Sequence, residues 1–69
     1  MLGEELRKAR RRAGLTQEQL AAKAGLSREY VSILEGNKKS PTIDVLLRLT
    51  KALGVRASRV IERVEIPRR

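Results

Sequence analysis

The residues that could do chemistry in this 69-residue sequence are mostly basic. It contains 16 lysines and arginines against 8 aspartates and glutamates, and its formal net charge is +8. Cysteine and histidine are both absent, which removes the commonest general base and the usual transition-metal ligands. No nucleophile-and-base set and no phosphate-binding glycine loop is present either. The residues predict non-covalent binding of an anionic partner without metal or cofactor, and they argue against an enzyme.

The excess of positive charge favours nucleic acid as that partner, with an anionic membrane surface as the weaker alternative. The basic residues could also serve solubility alone. Proteins that bind single strands stack bases on aromatic side chains, whereas Tyr30 is the one aromatic residue here. Duplex DNA is therefore the better match. Because no apolar run could span a bilayer and no signal peptide is evident, we expect a cytoplasmic, nucleoid-associated protein without membrane contact.

The elements that must position these charges are short helices. Apolar residues recur at helical spacing from Leu2 to Ala13, and Gly14 follows where a left-handed cap closes a helix. Thr16 and Gln19 form a capping box at the start of a second helix, which is expected to end at residue 25. No alternating β pattern is present, so the sequence predicts an all-α domain of about five helices.

The later helices are also marked by their ends. Ser27 caps a third helix over about residues 28–35, Thr42 caps a fourth that Gly54 closes, and a last helix covers about residues 57–64. The inward stripe of the fourth helix is predicted to be Ile43, Leu46, Leu49 and Leu53. We expect one domain over residues 1–66 and a frayed basic tail over residues 67–69.

The tight turn over residues 24–27 joins the second and third helices and forces them to cross at a steep angle. Such a pair can lay one helix across the phosphate backbone and place the N-terminal side of the other in the major groove. The inner face must then be apolar, which fits Leu20, Ala21, Ala24, Val31 and Leu34. The outer face must be polar, which fits Gln17, Arg28, Glu29, Ser32 and the lysines of the following loop.

Residues 15–21, 31–35, 41–42 and 52–55 resemble the Cro and lambda-repressor (XRE-type) family of helix-turn-helix proteins. The resemblance covers about residues 2–64, and residues 27–32 are similar to the recognition helix of restriction-modification controller proteins. It implies a compact five-helix, lambda-repressor-like domain that binds a specific duplex DNA and regulates transcription. Since the chain has no room for a ligand-sensing domain, no small-molecule effector is expected.

By position, the resemblance implies base contacts for Arg28, Glu29 and Ser32. Arginine can bind guanine through two hydrogen bonds, and glutamate can accept one from cytosine. A carboxylate at Glu29 would also be favourable simply because it lies in the first turn of a helix. Ser32 could instead contact a phosphate, or could only allow close approach to the groove.

Phosphate contacts are implied for Gln17 at the start of the second helix and for Asn37, Lys38 and Lys39 in the loop after the third. The alternative for these residues is an ordinary solvated surface. The resemblance also implies a structural ion pair between Arg10 and Glu35, which would tie the first helix to the end of the third.

Three positions depart from the family pattern. Asn37 occupies the usual glycine position, with the glycine moved to Gly36, so the path of the loop is open. Ile33 replaces a polar residue that faces DNA, and it could contact a thymine methyl, cover a sugar or pack inward. Arg56 replaces a small capping residue before the last helix. Tyr30 is predicted to be a half-buried packing residue whose hydroxyl could reach a phosphate.

The C-terminal part has more apolar residues than a two-turn helix needs to close a core. We expect this patch to form a homodimer, which would read half-sites one helical turn apart in a partly palindromic operator. The alternative is that these residues only complete the core of the monomer. A second possible function is that of an antitoxin or another protein-interaction module of the same fold. The predicted dimer residues are Val55, Val60, Ile61, Val64 and Ile66.

Overall fold

Five helices form the part of the chain that the structure, a computed structural model, describes, which is residues 1–64. They are α1 (Leu2–Arg12), α2 (Gln17–Ala24), α3 (Arg28–Glu35), α4 (Ile43–Leu53) and α5 (Ala57–Glu62), and no strand occurs in this range. The all-α prediction is confirmed. None of these helices is long and apolar enough to cross a membrane. Ile66 and the predicted tail over residues 67–69 lie outside the described residues.

Local hydrogen bonds set the start of three helices. Thr16 Oγ1 accepts the backbone N–H of Gln19 at 3.1 Å, and Gln19 Oε1 accepts that of Thr16 at 2.9 Å, which is the predicted capping box. Ser27 and Thr42 cap α3 and α4, each accepting a backbone N–H from three residues further on at 3.1 Å. These bonds satisfy amides that lack a partner inside the helix.

The core is formed where α1 packs on α3 and α5, and α2 packs on α3 and α4. Every helix contributes to it. Its buried apolar residues are Leu6, Ala9, Leu20, Ala21, Ala24, Val31, Leu34, Leu46, Leu49, Leu53 and Val60.

The predicted inward stripe of α4 is wrong at its first position. Ile43 is 77% exposed, whereas Leu46, Leu49 and Leu53 are buried as expected. Ile43 is the first residue of α4, and its side chain lies outside the core that the described residues form. Thr50 takes the additional inward position, and its hydroxyl donates to the Leu47 carbonyl oxygen at 3.2 Å.

The last helix also differs from the prediction. It ends at Glu62 instead of Val64, and its first residue follows Arg56, which makes no side-chain capping bond. Val60 is only 4% exposed because it closes the core between α5 and the rest of the domain. For this residue, the burial favours the alternative of a core position, and its contact with a second copy stays a prediction.

Candidate nucleic-acid interface

The turn between α2 and α3 fixes the relative placement of the two helices. Gly25 ends α2 in the left-handed region with φ 70°, a conformation that costs glycine little. The Leu26 N–H donates to the Ala21 carbonyl oxygen at 2.8 Å, which closes the end of α2. All five residues predicted for the inner face of the pair are buried. The outer face of α3 therefore points away from the core.

The three residues predicted to contact bases lie together on that outer face. Arg28, Glu29 and Ser32 lie within the first five positions of α3, and all three are exposed. Val31 and Leu34 on the opposite side are each 1% exposed, which anchors the helix. The arrangement leaves a cationic donor, a carboxylate and a hydroxyl free at the N-terminal end of a rigid helix. Base contact by these residues stays a prediction.

Two further α3 residues lie between the core and the outer face. Tyr30 is half-buried and packs against the core, which confirms the predicted packing role. Ile33 is also half-buried. Arg28, Glu29 and Ser32 remain exposed beside them.

Asn37 turns the chain after α3 and also caps α1. It has φ 60° whereas Gly36 has φ −83°, so asparagine itself takes the left-handed position, as its side chain permits. Its Oδ1 accepts the backbone N–H of Gly3 at 2.8 Å. That bond satisfies an amide in the first turn of α1, whose N-cap residue Met1 makes no side-chain capping bond. Asn37 therefore has a structural role in addition to its predicted phosphate contact.

Gly3 is a residue that the sequence analysis missed. A Cβ at this position would lie 2.5 Å from the Leu34 carbonyl oxygen and 2.6 Å from that of Glu35. Only glycine lets the start of α1 approach the end of α3 this closely. The available signal was a glycine inside the first turn of a helix, where no turn or left-handed residue requires one.

Glu35 at the end of α3 forms the predicted ion pair with Arg10 of α1. Arg10 donates through Nε to Oε2 at 2.7 Å and through Nη2 to Oε1 at 3.0 Å, while its Nη1 donates to the Leu15 carbonyl oxygen at 2.9 Å. Glu35 is 2% exposed. A planar guanidinium that meets a carboxylate through two parallel bonds fixes direction as well as distance.

Two more side chains complete the surroundings of this carboxylate. Gln17 Nε2 donates to Glu35 Oε1 at 3.2 Å, and Arg7 Nε lies 3.6 Å from the same oxygen. Gln17 was predicted to contact a phosphate, and the structure ties its side chain to α3 instead of leaving it unattached. Arg7 was missed, although it lies three residues before Arg10 and so shares a face of α1 with it.

The loop after α3 presents Lys38 and Lys39 to solvent. Both are exposed, and neither forms an ion pair within residues 1–64. They lie in the loop that follows the C-terminal end of α3. This position suits contacts with a phosphate backbone.

The remaining predicted dimer residues are accessible to different degrees. Val55 is 37% exposed and Ile61 is 43% exposed, while Val64 is half-buried. Ile66 lies outside the described residues. No group of residues that could bind a metal ion is found in the described range.

Known proteins are similar to this chain in both sequence and fold. A family model described as helix-turn-helix matches residues 6–60. An uncharacterized HTH-type transcriptional regulator of Sinorhizobium fredii is 42% identical over 55 residues, which cover 80% of this chain and 71% of that protein. The crystal structure of the restriction-modification controller protein C.AhdI from Aeromonas hydrophila superposes with a TM-score of 0.83 at 34% identity, over 86% of this chain and 89% of that one. SinR, described as a master regulator for biofilm formation and solved in complex with DNA, superposes with a TM-score of 0.84 at 29% identity, over 88% of this chain and 98% of that one.

Proposed function

Because this chain belongs to the helix-turn-helix family of DNA-binding transcription regulators, we propose that it binds a partly palindromic operator as a homodimer and reads it with α3. The family is one of regulators and not of enzymes. The observation that carries the proposal is the exposed group of Arg28, Glu29 and Ser32 on a helix whose other side is buried. A relative solved with DNA supports the same use of the fold.

Base recognition would start at the N-terminal end of α3. Arg28 is the strongest candidate, because a guanidinium matches the O6 and N7 acceptors of guanine in the major groove. Glu29 can accept from the cytosine amino group of the neighbouring pair, and its charge also suits the first turn of the helix. Ser32 lies one turn beyond Arg28 and is small enough to let the helix approach the base edges.

Phosphate contacts would come from both sides of α3. Lys38 and Lys39 provide charge after the helix, and such contacts add affinity without sequence information. On the other side, α2 would present its first backbone amides to a phosphate. Gln17 would help indirectly, because its bond to Glu35 fixes the start of α2 relative to α3.

Two copies are needed because one domain reads too few base pairs to discriminate among genomic sites. A two-fold axis would place two α3 helices in successive major grooves, about 34 Å apart. We assign the contact between copies to the accessible apolar residues Val55, Ile61 and Val64.

The test is selection of bound duplexes from a random library, followed by sequencing, for the wild type and for Arg28→Ala. The wild type should select a two-fold symmetric motif. Arg28→Ala should lose about 1–3 kcal/mol of binding free energy and lose preference at one base pair in each half-site. Arg48→Ala is the control, since this exposed arginine of α4 pairs with Asp44 away from α3. An equal loss of affinity across all sequences would contradict the role of Arg28.

A further inference from the structure

A groove between α1 and α5 is a feature that DNA recognition leaves unexplained. Its volume is about 490 Å³, which lies in the range of small-molecule sites, about 300–1,000 Å³. None of the residues that line it belongs to the group predicted to contact DNA. The lining residues are Glu5, Ala9, Arg12, Gly54, Val55, Arg56, Ser58, Arg59, Val60, Glu62 and Arg63.

Four arginines make this groove basic. Arg12 is the last residue of α1. Arg59 lies within α5, and Arg56 and Arg63 are the residues that flank this helix on either side. None of the four forms an ion pair within 4 Å of a carboxylate in the described part of the chain. Concentrating unpaired like charges around one depression is electrostatically unfavourable for the isolated domain, and a bound anion would relieve it.

The other lining groups limit what kind of anion fits. Of the two carboxylates, Glu5 lies 3.4 Å from Lys8 Nζ, so a lysine already offsets its charge, and Glu62 forms no ion pair in residues 1–64. Ala9 and Val60 are buried beneath the groove and give it an apolar floor. A ligand that fits has several negative charges at one end and an apolar or aromatic body at the other.

We propose that the groove between α1 and α5 binds a small organic anion with two or more phosphate groups. The phosphates would lie among the arginines, whose planar guanidinium groups bind phosphate oxygens in pairs. The organic body would rest on the small parts of Ala9 and Val60 that remain accessible at the base of the groove. A site of this kind would give the regulator a small-molecule effector within a single domain, contrary to the expectation from the sequence.

The same arginines could instead contact the phosphate backbone of DNA. The experiment must therefore distinguish the phosphates of a small ligand from those of DNA. The probe is ATP, titrated into ¹⁵N-labelled protein without DNA, with uncharged adenosine as a second titrant. ATP should shift the amide signals of Ala9, Arg12 and Arg59 with one saturable affinity, and adenosine should shift none of them. Shifts confined to α3 and residues 37–39 would overturn the proposal.

A pair of variants assigns the site. Arg59→Gln with Arg63→Gln should weaken ATP binding by about tenfold or more, because two charged donors are lost. Lys38→Gln with Lys39→Gln removes the same charge beside α3 and should leave ATP affinity unchanged. Both double variants alter exposed residues, and thermal unfolding checks that they fold.

A second measurement uses DNA that contains the operator selected from the random library. Arg59→Gln with Arg63→Gln should change operator affinity less than Lys38→Gln with Lys39→Gln does. If it costs as much operator affinity, or leaves ATP affinity unchanged, the arginines serve the DNA backbone or no ligand at all, and the proposal fails. Operator binding is measured separately, so this result does not decide the function proposed above.

Discussion

At the scale of single residues, Glu35 determines where α3 lies relative to the rest of the domain. Its carboxylate is buried and receives hydrogen bonds from Arg10 of α1 and Gln17 of α2. A buried charge requires such partners, because desolvation is otherwise costly. The same interaction that satisfies the charge therefore connects the first three helices behind the face that we propose reads DNA.

The first prediction concerns the loss of one partner. Arg10→Met should lower the free energy of unfolding by about 3–5 kcal/mol, because it leaves a buried carboxylate without its main counter-charge. Urea denaturation of both proteins measures the change. The double variant Arg10→Met with Glu35→Leu should recover much of the loss, since an apolar pair needs no desolvation. A double variant no more stable than the single one would show that the packing of the arginine matters and its charge does not.

Some interactions of single residues could be predicted from the sequence, and others could not. The Arg10–Glu35 pair could be predicted from the resemblance to a family. The approach of Gly3 to the end of α3, the cap that Asn37 provides for α1 and the role of Arg7 could not. Each of these depends on how closely two helices distant in the sequence approach each other, and no local pattern reports that distance.

At the scale of elements, the starts of α2, α3 and α4 were predictable because their causes are local. The bonds at Thr16, Ser27 and Thr42 each span three residues, so a short stretch of sequence contains the whole interaction. Burial was harder to predict. Ile43 and Val60 both fit a helical stripe, but whether a stripe position is covered depends on where the neighbouring helices end.

The prediction at this scale tests the cap of α3. Ser27→Ala removes the oxygen that accepts the Tyr30 N–H at 3.1 Å, and the loss should be about 1 kcal/mol of unfolding free energy. Fraying of the first turn should also weaken operator binding, because that turn contains Arg28 and Glu29. Ser27→Asn keeps a capping oxygen and should restore both values within experimental error. If the alanine variant binds the operator as tightly as the wild type, the first turn is ordered without its cap.

At the scale of the whole molecule, the net charge of +8 predicts that DNA affinity falls as the salt concentration rises. Each phosphate neutralised by the protein contributes about −0.9 to the slope of log K against log salt concentration. Lys38→Gln should therefore flatten the slope by about one unit per half-site while it weakens all sequences alike. Fluorescence anisotropy at several salt concentrations measures it. The control is Lys51→Gln, which changes an exposed lysine of α4 and should leave the slope unchanged. Equal slopes for the two variants would show that Lys38 does not contact DNA.

Assembly is the remaining property of the whole molecule, and we propose that it involves α5. Ile61 leaves 43% of its surface exposed and flanks the buried Val60, so a polar side chain there should not disturb the monomer core. Ile61→Gln should shift the protein towards monomers in sedimentation equilibrium and abolish cooperative binding to a two-fold operator, because half-site affinity alone is weak. Ile43→Gln removes a more exposed isoleucine from α4 and controls for a general loss of surface hydrophobicity. Dimers that persist in Ile61→Gln, or dissociate equally in both variants, would place the contact between copies elsewhere.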